Sequence, residues 1–399
     1  MSVTNQDLIQ KGVITAEALA AAGKLSPKQA EQFIDFVVDE TSLKGRVRVA
    51  RFTNESLEID KIGVGRRVAV PKAEAVAPDV RRGIQTSKVT LTPKEIIVPF
   101  EIGDNFLELN IQGQSVEERI IRMMATQFAN DIEELYLRGD ILGEAALEAD
   151  LIEGGSNADY VRDSYLALFD GWLRLADQGG HRVDLEGAQV GPTVFSKLLN
   201  AMPNKFKRNR GNLRFLTSPE LEQDFRQHVA TRQTAAGDAA LSARGNTTPF
   251  GVELESVALF PYRPAVVEHL ALPGETAVGL RYRPVTDLVV SRSDLGKTAQ
   301  TAFVAGTDYT VDEAAGTVAR IGGGAIGDGD IVKLTYRALP QVLLTALNNL
   351  IVGIGRDIRI ERDRDIFKGA NQFAITAKVS AQVEELDAVV KGVNVASAA

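Results

Sequence analysis

Gly353-Ile354-Gly355 closes an apolar run and resembles the opening of a phosphate-binding loop. A dinucleotide fingerprint needs a third glycine three positions on and a helix behind it, because the helix N-terminus holds the pyrophosphate. Ile358 occupies that position, and Ile358 and Ile360 then alternate with Arg359 and Glu361, which is the period of a strand. Close approach or turning of the backbone explains these glycines better than a nucleotide does. A second stretch, "GGGAIGDGD" (322–330), lacks the Lys-Ser/Thr of a Walker loop. Asp328 and Asp330 stand there without the rest of a calcium-ligand series, so a hairpin turn is expected.

The remaining reactive side chains are scattered. His181, His228 and His269 stand at no metal-ligand spacing, and no nucleophile motif of the GxSxG kind is present. Glu117-Glu118 and Glu133-Glu134 fall on a predicted helix, where a solvated or partner-facing surface accounts for them better than acid–base chemistry. We therefore assign no catalytic, cofactor-binding or metal-binding residue and expect no cofactor.

What the chain does carry is clustered charge. The densest basic stretch is "NKFKRNRGNLR" (204–214), with Lys205, Lys207, Arg208, Arg210 and Arg214. Behind the glycines runs a ladder of Arg356, Arg359, Glu361, Arg362 and Asp363. A nucleic-acid contact is one reading of the basic stretch. Pairing with acidic surfaces of neighbouring copies is the better one, because planar arginine contacts set register between subunits even where isolated pairs stabilise little.

Composition restricts the alternatives. The chain has 399 residues, enough for two or three domains, with 44% hydrophobic and 25% charged residues, which is ordinary for a folded protein. Forty-five basic against 53 acidic residues give a net charge of −8, a poor match for a dedicated DNA binder. The absence of cysteine excludes disulfides, thiolate nucleophiles and zinc–thiolate sites. The N-terminus lacks signal-peptide character and no stretch has the length of a membrane span, so we expect synthesis and use in the cytoplasm, or in something assembled there.

The elements that must position these charges follow from periodicity. Residues 1–45 read as an arm with two short helical patterns. In the second, Ser26-Pro27 caps "KQAEQFIDFVVDE", and Phe33, Phe36 and Val37 form an apolar face. Residues 46–100 alternate as strands and read as a long two-stranded excursion with its tip near 72–82, unable to bury both faces alone. Residues 114–138 are the clearest helix: Val116, Ile120, Ile121, Met124, Phe128, Ile132 and Leu135 make one stripe, Ser115 with Glu118 fits a capping box, and Gly139 stops it. Its length is about 37 Å.

Residues 160–270 mix helix and strand. "DSYLALFDGWLRLADQGG" is expected as one helix, Ser218-Pro219 opens another, and the Gly/Ala/Thr-rich "QTAAGDAALSARGNTTPFG" is expected as a mobile loop. Residues 273–339 contain several short β patterns separated by turns, the signature of a small inserted β-sandwich. Residues 340–399 return to mixed structure.

The order of these pieces resembles a tailed-bacteriophage major capsid protein of the Hong Kong 97 type. The resemblance rests on the arm, the hairpin "RVRVARFTNESLEIDKIGVGRRVAVPK…VTLTPKEIIVPFEI", the long helix ending in "LRGD", "FLTSPELEQDFRQHVATRQTAAGDAAL", "FGVELESVALFPY" and "LLTALNNLIVGIGRDIRIERDRDI". It covers the chain except residues 273–339.

What it implies is an α+β Hong Kong 97-like capsid fold. The parts would be an N-terminal arm (1–45), an extended hairpin loop (46–100), a peripheral domain (101–165 and 360–399) with spine helix 114–138, an axial domain (166–272 and 340–359) and an inserted immunoglobulin-like β-domain (273–339). Gly353 and Gly355 would sit at a turn near the capsomer axis.

The implied function is a self-assembling shell of hexamers and pentamers around phage double-stranded DNA, located in the virion and assembled in the host bacterial cytoplasm. Implied partners are other copies of the chain, portal and scaffold or cement proteins, and DNA by weak non-specific contact, without a membrane. The alternatives are an encapsulin-like compartment shell and, third, an enzyme. Candidate intersubunit contacts are Arg66, Arg67, Lys72, Arg81 and Arg82 in the hairpin, Glu117 and Glu118 on the helix, the basic group Lys205, Lys207, Arg208 and Arg210, and the ladder Arg356, Arg359, Glu361, Arg362 and Asp363. Only about 45 residues precede the hairpin, so a separate scaffold or none is expected, without cleavage. Some relatives crosslink a hairpin lysine to a neighbour's asparagine. Lys72 is the nearest equivalent here, but no acceptor or catalytic glutamate is identifiable, and no crosslink is expected.

Overall fold

The structure is a computed structural model and describes residues 13–14, 43, 46–63, 85–103, 114–141, 165–231, 247–292 and 302–396. Its elements begin with β1 (Val13–Ile14), β2 (Arg48–Arg51), β3 (Leu57–Gly63), β4 (Gln85–Leu91), β5 (Lys94–Gly103) and α1 (Gln114–Arg138). Then come α2 (Trp172–Gly179), β6 (His181–Gln189), α3 (Pro192–Ala201), α4 (Asn204–Lys207), β7 (Leu213–Thr217), α5 (Pro219–Ala230) and β8 (Glu253–Ser256). The strands β9 (Ala265–Ala271), β10 (Val278–Gly279), β11 (Val285–Arg292), β12 (Tyr309–Asp312), β13 (Thr317–Arg320) and β14 (Ile331–Ala338) follow. The chain closes with β15 (Val342–Ala346), β16 (Leu350–Asp365), β17 (Ala370–Val383) and β18 (Val390–Ala396).

The long helix lies on a five-stranded sheet of order β1-β5-β17-β16-β2. The stripe read from the sequence is the packed one: Ile120, Phe128, Ile132 and Leu135 are buried. Beneath it the period changes to two, with Ile96, Phe100 and Ile102 of β5 and Phe373, Ile375, Ala377 and Val379 of β17 facing the helix. Phe100 and Phe373 stack at 5.0 Å. Each large side chain buried here contributes about 1.5–3 kcal/mol. Gly139 ends the helix because nothing larger fits: a Cβ there would lie 2.7 Å from Leu135 O and collide with Phe169 O.

A second five-stranded sheet, β6-β18-β15-β7-β8, has its own core of Phe195, Phe215 and Phe225 under α3 and α5. Ser218 caps α5, accepting the Leu221 amide at 3.4 Å, with Pro219 in the first turn, as its sequence requires. Residues 265–338 supply two three-stranded sheets, β10-β13-β12 and β11-β14-β9, around Tyr309, Val318, Leu334 and Tyr336.

Several expectations are corrected. Among the described residues the hairpin is narrower than 46–100: β3 and β4 pair with each other, from Leu57 opposite Leu91 to Gly63 opposite Gln85. β2 and β5 instead join the first sheet, where apolar faces have a helix to lie on. β9 pairs with β14, so the small β unit starts before residue 273. β16 is one continuous strand through 359/360, and β18 belongs to the second sheet rather than the first. The helix expected around 164–180 is broken at Asp170-Gly171, because the Gly171 amide turns to donate to Gly139 O at 2.7 Å. The arm helices, the hairpin tip and the loop 232–246 lie outside the described residues.

Candidate functional site

β16 changes environment along its length. Leu350 to Gly353 are buried, Ile354 to Arg356 are intermediate, and Asp357 to Arg364 are all exposed. The switch coincides with the end of β2, which flanks β16 only from Ile351 to Ile354. Beyond that point, among the described residues, β16 pairs with β17 alone up to the turn at residues 366–369.

The two glycines lie inside the strand, not at a turn as expected. A Cβ on Gly353 would collide with Ser380 Oγ and lie 3.2 Å from Phe52 and 3.3 Å from Leu91; one on Gly355 would lie 3.1 Å from Pro93. They let neighbouring side chains close over the strand, and no helix follows to hold a phosphate.

The charge ladder is partly consumed within the chain. Arg356 pairs with Glu95 of β5, and Lys378 of β17 approaches the same carboxylate at 3.5 Å. The Arg356 hydrogen bond holds the Glu95 carboxyl below its ordinary range. Asp357 pairs with Arg51 at 3.3 Å, and Arg359 with Glu361 at 3.0 Å on one face of the strand. Arg362 lies on the opposite face, 3.0 Å from Glu117 of α1 and with its guanidinium 5.7 Å from the Phe373 ring centre. Glu117 is buried, which corrects its reading as a solvated or partner-facing group; Glu118 beside it is exposed.

Asp363 accepts the Arg364 amide, and Asp365 accepts the amides of Phe367 at 3.0 Å and Lys368 at 3.2 Å, folding the turn. That turn presents Ile366 and Phe367, 81% and 103% exposed. The sequence reading missed this apolar tip, although two bulky residues between charged strands were its signal.

The basic stretch forms α4 and the turn into β7. Lys205 pairs with Asp387 at 3.1 Å, Lys207 donates to Asn200 O at 3.3 Å and Arg210 to Phe250 O at 3.3 Å, while Arg208 is exposed. Arg66, Arg67, Lys72, Arg81 and Arg82 lie outside the described residues.

The chemistry groups do not converge. Among the described residues no three His, Asp or Glu side chains could share a metal, and no helix is long and apolar enough to cross a membrane. Asp328 and Asp330 brace a turn by accepting the Gly274 and Gly327 amides at 2.6 and 2.8 Å. Among the described residues the arrangement offers a charged strand, an apolar tip and a basic corner.

No protein-family model matches the chain. The chain is 30% identical over 394 residues to the prophage capsid protein YqbE of Bacillus subtilis (strain 168), covering 98% of this chain and 99% of that protein. Among solved structures it resembles the capsid of an empty GTA particle, at a TM-score of 0.50 and 12% identity over 92% of this chain and 100% of that one. It likewise resembles the satellite phage P4 procapsid, with a TM-score of 0.50 and 12% identity over 90% of this chain and 89% of that one.

Proposed function

The chain belongs to the phage capsid-protein family of YqbE, and from that premise we propose that it is the major capsid protein of a tailed bacteriophage, self-assembling into an icosahedral shell around double-stranded DNA. The carrying observation is the identity to YqbE over nearly the full length of both chains. The mixed helix-and-sheet fold shared with the GTA and P4 capsids supports it. The relative is a prophage capsid protein, so the encapsulin-like and enzyme readings fall behind.

In finer terms, α1 is the spine of a Hong Kong 97-like peripheral domain and the second sheet is the axial domain. The β3–β4 excursion is the extended loop, and the six strands within 265–338 form an immunoglobulin-like insertion. Such a subunit is located in the virion, forms hexamers and pentamers, and is assembled in the host cytoplasm. Its further partners are a portal, scaffold or cement proteins and weakly held DNA, from which a net charge of −8 keeps the wall free to slip.

The contacts between copies are carried by the exposed members of the sets above: Arg208 and its basic neighbours, Arg359, Glu361, Asp363 and the Ile366-Phe367 tip. The hairpin residues Arg66, Arg67, Lys72, Arg81 and Arg82 are assigned to the same role. Electron microscopy of the purified protein should show closed icosahedral particles. A protein that stays monomeric under every assembly condition would overturn the reading.

A further inference from the structure

Glu255 of β8 stands on the face of the second sheet that turns toward the first core. It lies opposite Leu216 in the register of β7 and β8, and Leu216 and Val257 both pack in that core. Its carboxylate is buried, with the side chain 5% exposed. Oε1 accepts from the Arg46 guanidinium, while Oε2, shut off from solvent, has no hydrogen-bond partner among the described residues. Arg46 is 45% exposed and belongs to the chain that enters the first sheet as β2. Its own amide donates to Leu43 O at 3.0 Å, and the Leu43 amide donates to Glu133 of α1 at 3.2 Å. One side chain thus bridges the entry of the first sheet to the edge strand of the second.

The two partners are unequal. A buried carboxylate with one bare oxygen is costly while charged, whereas an exposed guanidinium loses little by returning to water. The other charged groups acting on Glu255 are Glu253 of β8 and Arg214 of β7, which pair with each other at 2.8 Å. Burial pushes the Glu255 carboxyl above its ordinary value of 4.5, against the pull of Arg46. We propose that Arg46 and Glu255 form an acid-opened clip between the two sheets: a proton on Glu255 discharges it, and Arg46 swings into solvent. A carboxyl whose proton affinity rises on folding costs stability while ionised, and that cost disappears as pH falls through the raised value. Acid therefore opens the clip without weakening the fold through this pair. The inference concerns the single subunit and does not rest on shell formation.

Hydrogen exchange of the amides of residues 46–50 in the unassembled full-length subunit, corrected for intrinsic rates, tests the clip. In the wild type, exchange should quicken about tenfold as pH falls across the carboxylate range, the size expected for losing one hydrogen bond to a charged group. Glu255→Gln should exchange at the fast rate already at neutral pH and show no step. Glu253→Gln should keep the step. Urea midpoints then separate the clip from an ordinary stabilising pair. Arg46→Gln, which strands the buried carboxylate, should lower the midpoint at neutral pH, and the loss should shrink in acid. Glu255→Gln should not lower it. A wild-type rate in Glu255→Gln at neutral pH, or a step that survives in that variant, overturns the proposal. A midpoint that falls as far in Glu255→Gln as in Arg46→Gln also overturns it, in favour of a plain structural ion pair.

Discussion

Lys391 Nζ lies 2.7 Å from Asp177 Oδ2, with the two side chains only 3% and 5% exposed. The same ammonium donates to Leu173 O at 3.2 Å, and the same carboxylate oxygen lies 3.4 Å from Arg281. One charged cluster thus joins α2, β18 of the second sheet and the segment between β10 and β11 of the small β unit. Removing one member of a buried pair strands a charge, whereas removing both need not. Lys391→Met should lower the unfolding free energy by about 3–5 kcal/mol in urea titrations. Lys391→Met with Asp177→Asn should cost less than Lys391→Met alone. Losses that simply add would mean that the two residues act independently.

Gly353 makes room for Ser380, Phe52 and Leu91. Gly353→Ala should therefore destabilise the subunit by about 1–3 kcal/mol, the usual cost of overpacking. In a Ser380→Ala background the loss should shrink, because the colliding hydroxyl is gone. An equal loss in both backgrounds would place the strain elsewhere.

Asp184 couples acid stability to the junction between β6 and the small β unit. Burial pushes its carboxyl up, but hydrogen bonds from Asn394, the Glu186 amide and Arg283 outweigh that and hold it below its ordinary value of 3.8. The stabilisation is complete above that value and is lost as pH falls through and below it. The stability gap between the wild type and Asp184→Asn should accordingly be widest near neutral pH and close in acid. Urea midpoints measured across pH check this, and a gap that does not vary with pH would contradict it.

Ile366 and Phe367 touch little within their own chain. Replacing both by Ser should leave the melting temperature of the unassembled subunit nearly unchanged while reducing particle yield in electron micrographs. Particles forming at the wild-type yield would remove the tip from the contacts between copies.

Local period and punctuation determined much of this protein. The α1 stripe, its Gly139 stop, the Ser218-Pro219 start of α5 and the strand period of β16 all follow from neighbours a few residues apart, so they are legible in one dimension. The absence of a nucleotide motif at Gly353-Ile354-Gly355 was equally legible, since the third glycine is simply not there. Pairing across the chain was not. Whether β9 joins β14, whether β2 flanks β16, and which charges of the ladder are spent on Glu95 and Glu117 depend on residues up to about three hundred positions apart. Charge type predicts that a residue wants a partner, but not which one. Only the tertiary structure decided that Glu117 is buried beneath Arg362 and that the two glycines lie within a strand.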